Sequence, residues 1–151
     1  MRVTVAAVGR WKNDPARAVY ETYACRGHWP VTLKEVTARK PGTPESLRTE
    51  EAALLAAAVP DGAVRVALDA GGRMLDSPGF AAWLDARRET GARDVAFLIG
   101  GAEGLAGSLL EGADLRLSLG PMTWPHMLVR ALLAEQLYRA QSILAGHPYH
   151  R

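Results

Sequence analysis

Cysteine is nearly absent from this 151-residue chain, with Cys25 the only one. That excludes an internal disulfide framework and a multi-cysteine zinc site. Cys25 itself reads more readily as an inert, partly buried thiol than as a nucleophile. No apolar run approaches the ~20 residues that cross a bilayer. The opening residues, Met1-Arg2-Val3-Thr4-Val5, lack the apolar core and small-residue cleavage site of a signal peptide and read as a strand. These absences lead to the expectation of a cytoplasmic protein that does not engage a membrane.

Signatures of chemistry are equally scarce. There is no Gly-x-Ser-x-Gly elbow and no Walker A sequence. Gly100-Gly101-Ala102-Glu103-Gly104 departs from the Gly-x-Gly-x-x-Gly dinucleotide fingerprint. The four histidines, His28, His126, His147 and His150, lack ligand spacing, and no carboxylate cluster accompanies them. No metal is expected.

What is present is the composition of a soluble globular protein, 48% hydrophobic and 23% charged, in a length that suits one domain over residues 1–151. The net charge of +2 hides an asymmetry. Residues 1–48 hold nine Lys/Arg against four Asp/Glu, residues 49–125 six against eleven, and residues 126–151 three against one. The basic third contains Arg10, Lys12, Arg17, Arg26, Lys34, Arg39, Lys40 and Arg48, interleaved with Trp11, Tyr20, Tyr23 and Trp29. Such a mixture suits RNA, where cations meet phosphates and aromatics stack on bases. It equally suits a solvated face with a few core aromatics.

Strand and helix patterns alternate along the chain. Apolar or alternating runs predict strands at Arg2–Val8, Val31–Val36, Val64–Leu68, Asp94–Ile99 and Leu115–Leu119. Helices are predicted at Pro15–Arg26 with Asp14 as cap, at Glu45–Val59, at Ser77–Thr90 with Ser77 as cap, and at Met127–Leu144. A basic loop, Ala38–Pro44, lies between the second strand and its helix. The fold class is α/β, a mainly parallel sheet with helices on both faces. Ligands in such sheets bind beyond the carboxyl ends of the strands. Three glycine-containing loops fall there: Leu68–Arg73, Gly100–Gly104 and Gly120–Pro125. The final helix is apolar all round. One stripe is Val129, Leu133, Leu137, Ala140 and Leu144; another is Met127, Ala131, Ala134 and Tyr138. One side therefore either faces a second subunit or packs within a monomer core.

Candidate groups cluster late in the chain. Glu103 either orients a substrate or favours the positive end of the next helix. His126, at the start of the last helix, can cap it, contact a ligand or titrate. The tail Tyr149-His150-Arg151 offers stacking, proton transfer and anion binding, unless it is an ordinary disordered end.

At these residues the chain resembles the RlmH (YbeA-like) branch of the SPOUT methyltransferases along its full length. The resemblance is carried, in order, by Val8-Gly9, Leu68-Asp69 with Gly72-Arg73, Phe97 to Leu105, Ser118 to Thr123, Pro125 to Arg130, Glu135 to Ala140, and His147-Pro148-Tyr149-His150-Arg151. It implies a SPOUT fold with a C-terminal trefoil knot, a homodimer, and S-adenosylmethionine as methyl donor. It further implies methylation of N3 of a pseudouridine in 23S ribosomal RNA, on the assembled ribosome. Carried over by position, cofactor contacts fall to Leu68, Gly101, Gly120, Pro121, Met122, Thr123, Trp124 and Pro125. Substrate contacts fall to Arg130, Tyr149, His150 and Arg151, and the candidate bases are His126, His150 and Glu103. The chain departs from the family pattern at Ala70, Ala102, Gly120 and Trp124. Two other functions fit the same resemblance: a SPOUT enzyme acting on another ribosomal or transfer RNA base, and a non-catalytic ribosome-binding protein of the same fold.

Overall fold

The computed structural model describes residues 1–39 and 41–150; Lys40 of the basic loop and Arg151 of the tail lie outside the described residues. Five strands form one sheet in the order β2-β1-β4-β3-β5, and every pairing is parallel. They are β1 (Arg2–Val8), β2 (Val31–Val36), β3 (Val64–Met74), β4 (Asp94–Ile99) and β5 (Leu115–Ser118). Between and after them run α1 (Ala16–Arg26), α2 (Pro44–Ala58), α3 (Ser77–Glu89), α4 (Gly107–Glu111) and α5 (His126–Leu144). A 3₁₀ turn, Pro148–His150, follows.

The two-residue period of β1 assigns its side chains to opposite layers. Val3, Val5 and Ala7 pack with Phe97 and Ile99 of β4 against Phe80 and Leu84 of α3 and Leu133 and Leu137 of α5. Ala6 and Val8 turn the other way, joining Ala96 and Leu98 against Leu55 of α2 and Leu109 of α4. The central strands are thus apolar on both faces, as a covered parallel sheet requires.

Both apolar stripes of α5 are partly covered within the chain itself. Leu133, Leu137 and Ala140 face the sheet, while Ala131 and Ala134 pack under Tyr20 of α1. Leu128 remains 37% exposed, so the sheet and α1 account for part of the apolar circumference and leave part of it open.

Several local expectations shift. β3 does not end at Leu68; it continues to Met74 through a break in register, so that Leu68 and Arg73 both pair with Leu117. The predicted loop is an excursion within a strand, and Gly72 allows it, because a Cβ there would lie 2.7 Å from the Arg116 carbonyl carbon. The cap of α3 is Asp76, whose Oδ1 accepts from Gly79 N at 2.7 Å. Ser77 instead donates to Gln136 Oε1 on α5. Helix α4 has too few residues for its periodicity to be read. Cys25 is free and exposed, not partly buried.

Arg130 ties these layers together. Its side chain is fully buried. Nη1 donates to Glu35 Oε1 of β2 at 2.9 Å, and Nη2 lies 2.7 Å from both Val8 O and Gly9 O at the end of β1. The guanidinium also stacks 4.8 Å from the centre of the Trp11 ring. The resemblance assigns Arg130 to the substrate; in this chain Nη1 and Nη2 bond to β1 and β2, and the buried Nε has no partner. Removing one partner of a buried ion pair leaves the rest uncompensated. Arg130→Ala is expected to lower stability by about 3 kcal/mol, the low end of that class because Glu35 is partly exposed. Urea denaturation checks this; a loss under about 1 kcal/mol would mean the bridge contributes little.

Candidate functional site

The break in β3 and the carboxyl ends of β4 and β5 open onto a cleft of about 170 Å³. That is smaller than the roughly 300–1,000 Å³ usual for small-molecule sites, and the cleft is open on its solvent side. Its floor is Leu68 at the break in β3, Ile99 at the end of β4 and Leu117 near the end of β5. Gly100, Gly101 and Gly104 form one wall; Leu119, Gly120, Met122, Thr123 and Trp124 form the other. His126 and Val129 of α5 close the back.

Each wall depends on its backbone. Gly104 N donates to Gly101 O at 3.1 Å, pinching that loop into a tight turn. A Cβ on Gly100 would fall 2.6 Å from the Gly104 carbonyl carbon, so a side chain is excluded there. In the facing wall Gly120 has φ +113°, a region that side chains strain to occupy. The buried hydroxyl of Ser118 secures this turn. It accepts from Gly120 N at 3.1 Å and lies 3.1 Å from Ala70 O, joining the excursion in β3 to the loop after β5.

Of the residues assigned to the cofactor, Leu68, Gly101, Gly120, Met122, Thr123 and Trp124 come together around this cleft. Pro121 and Pro125 do not line it. Pro125 instead stands at the start of α5, where its carbonyl accepts from Val129 N. Of the three candidate bases, only His126 borders the cleft. Its pKa is lowered from the ordinary histidine value, first by burial and then by the charge of Arg130. Glu103 is exposed at the tip of its loop, outside the cleft lining. Its charge, after burial, helps raise the pKa of Glu51 on α2, a neighbour that sequence reading missed.

The tail sits elsewhere. Tyr149 O–H donates to Glu135 Oε1 at 3.0 Å and lies 3.1 Å from the Tyr23 hydroxyl. The Tyr149 ring packs edge-on to Tyr138 at 4.7 Å, with the Arg139 guanidinium 4.8 Å from its centre. Partial burial raises the Tyr149 pKa, and the bonds to Tyr23 and Glu135 raise it further, so the phenol stays a donor. His150 Nδ1 lies 3.4 Å from Arg139 Nη1. Glu135 is nine residues beyond His126 on α5, about 13 Å along the axis. Tyr149 and His150 are thus docked on α1 and α5, at a distance from the cleft of their own chain.

A second depression adjoins the first. It runs between the segment after β1, Gly9–Asp14, and the segment after β2, Thr37–Arg39, and His126 and Met127 complete it. His126 borders both. Among the described residues no group of three or more His, Cys, Asp or Glu is arranged to hold a metal. No helix among them is long and apolar enough to cross a membrane.

Comparison with known proteins agrees with this geometry. The family model described as "Predicted SPOUT methyltransferase" matches residues 1–150. A protein of Rhodospirillum centenum named ribosomal RNA large subunit methyltransferase H is 59% identical, over 100% of this chain and 99% of its own length. A protein of the same name from Paramagnetospirillum magneticum is 54% identical with the same coverage. Among solved structures, a probable methylase family protein from Haemophilus influenzae superposes with a TM-score of 0.59 at 15% identity, over 99% of this chain and 70% of that one, a likeness of fold. A glycine-walled cleft at the ends of parallel strands, a match along residues 1–150 and relatives above half identity lead to one conclusion: the chain belongs to the SPOUT methyltransferase family.

Proposed function

We propose that this protein methylates N3 of a pseudouridine in 23S ribosomal RNA, with S-adenosylmethionine as methyl donor. The observation that carries the reading is the cleft itself, whose residues fit that cofactor. Leu68, Leu117, Met122, Trp124 and Val129 offer an apolar enclosure for an adenine, and the glycine-rich walls present backbone groups to its polar edge. Gly101, Gly120 and Thr123 would hold it with them. When bound, the cofactor supplies a methyl group activated by a sulfonium.

The chain's own residues then do three things. The walls fix the donor in place, and positioning of this kind is worth roughly 7–11 kcal/mol in favourable cases. The apolar lining excludes water from a reaction between an anionic nitrogen and a cation. His126, kept neutral by its surroundings, accepts the imide proton.

The reading includes a trefoil-knotted homodimer that acts on the assembled ribosome. Met122 and Trp124 are large apolar side chains exposed on the cleft wall, with Met122 69% exposed; Met74 is exposed in a neighbouring depression that Trp124 also lines, and Leu128 is exposed on α5. Such a rim suits burial against a second copy. The tail, about 13 Å along α5 from its own cleft, would then serve the partner's, with Tyr149, His150 and Arg151 holding the pseudouridine.

Mass spectrometry of 23S ribosomal RNA from a strain lacking the gene is expected to show one pseudouridine without its N3 methyl group. The intact chain restores it. A chain lacking Tyr149–Arg151 leaves it unmethylated while sedimenting as a dimer. Unchanged methylation in the deletion strain would defeat the reading, and full activity of the truncated chain would defeat the role of the tail.

The lowered pKa of His126 also has a consequence in pH. Its neutral form prevails above the usual histidine value of 6.5 and persists somewhat below it. Protonation therefore reduces kcat/KM only at pH below 6.5, and His126→Asn removes that acid limb while lowering the rate about 10²-fold. An acid limb unchanged in the variant would assign the proton to another group.

A further inference from the structure

The depression beside the cleft has a feature that methyl transfer alone does not use. Arg10, Lys12 and Arg39 border it, all three exposed. Among the described residues none of them forms an ion pair, whereas Arg2, Arg17, Arg88 and Arg116 on other surfaces are each paired with a carboxylate. Three like charges along one groove repel one another, and a polyanion would relieve that repulsion.

The groove is also built to hold its shape. Gly9 N donates to Val36 O at 2.8 Å, Trp11 N donates to Glu35 Oε1 at 2.7 Å, and Arg130 holds Gly9 O from beneath. Three carboxylates adjoin it: Asp14 Oδ1 accepts from Ala16 N at 2.8 Å, Glu35 is paired with Arg130, and Glu50 Oε1 accepts from Arg39 N at 2.8 Å. Asn13 and Thr37 add neutral polar side chains suited to phosphate oxygens.

We infer that this groove binds the phosphodiester backbone of RNA beside the nucleotide to be methylated, with Arg10, Lys12 and Arg39 as its phosphate contacts. The inference rests on the proposed RNA methylation, because His126 joins the groove to the cofactor cleft. An acidic protein surface would meet the same charges, but a base entering the cleft must bring its own flanking phosphates to this place.

The test compares the intact chain with Lys12→Ala, Arg39→Ala and the double variant. Arg93→Ala is the control, an exposed arginine at the opposite end of the sheet just before β4. The substrates are ribosomes from a strain lacking the gene. The double variant is expected to raise KM at least tenfold while kcat and cofactor affinity by calorimetry stay within twofold. The slope of log binding constant against log salt falls by about 0.7 for each cation removed. Arg93→Ala changes none of these. A KM and salt slope equal to those of the intact chain would overturn the inference, as would an equal loss in Arg93→Ala. A raised KM with undiminished binding of a short single-stranded RNA would assign the groove to a protein contact and also overturn it. Should the intact chain neither methylate ribosomes nor bind the cofactor, the methylation reading fails. Binding of the same RNA oligonucleotide by the variants then decides the groove on its own.

Discussion

One buried guanidinium fixes how the working end of this molecule is put together. Arg130 sits in the second turn of α5, yet its donors reach the ends of β1 and β2. A buried guanidinium requires hydrogen-bond partners, and Nη1 and Nη2 find them in a carboxylate on β2, the last carbonyl of β1 and the Gly9 carbonyl just beyond it. The first turn of α5 is therefore held at a set height above the sheet. His126 lies one turn earlier on the same helix, and that anchorage places it between the cleft over β3, β4 and β5 and the groove over β1 and β2.

The two depressions differ in chemistry because they are built from different strand ends. Over β3 to β5 the loops are glycine-rich and apolar, and a negative side chain, Asp69, is already paired with Arg116. Over β1 and β2 the loops carry free cations. A largely apolar, glycine-walled pocket beside a cationic groove suits a reaction in which a small cofactor must meet one base of a long polyanion. The exposed Met122 and Trp124 of the cleft wall, and Tyr149 docked on Glu135 away from that cleft, are what the proposed second copy would answer to.

Much of this was legible from residue patterns. The apolar run of β1, the alternation in β2 and the proline-marked helix starts located those elements to within a residue or two, and the glycine loops marked the cleft. The less legible parts involve contacts between distant residues. The excursion in β3 looks like an ordinary loop because its strand character comes only from pairing with Leu117 and Ser118 of β5. The tie made by Arg130 is hidden because nothing nearby in sequence reveals Glu35, 95 residues away. The cover that Tyr20 of α1 supplies to one side of α5 is equally remote in sequence. The docking of Tyr149 on Tyr23 and Glu135 belongs to the same class.

The central claim is a division of labour across His126, with cofactor on one side and RNA on the other. Amide hydrogen exchange read by mass spectrometry, on the intact protein with cofactor and then with RNA added, tests it most directly. S-adenosylmethionine alone is predicted to protect Gly100–Gly104 and Gly120–Trp124 while leaving Arg10–Asp14 and Thr37–Arg39 unchanged, and RNA then protects those two segments. Protection of Arg10–Asp14 by the cofactor alone, or of the Gly120–Trp124 loop by RNA alone, would contradict it.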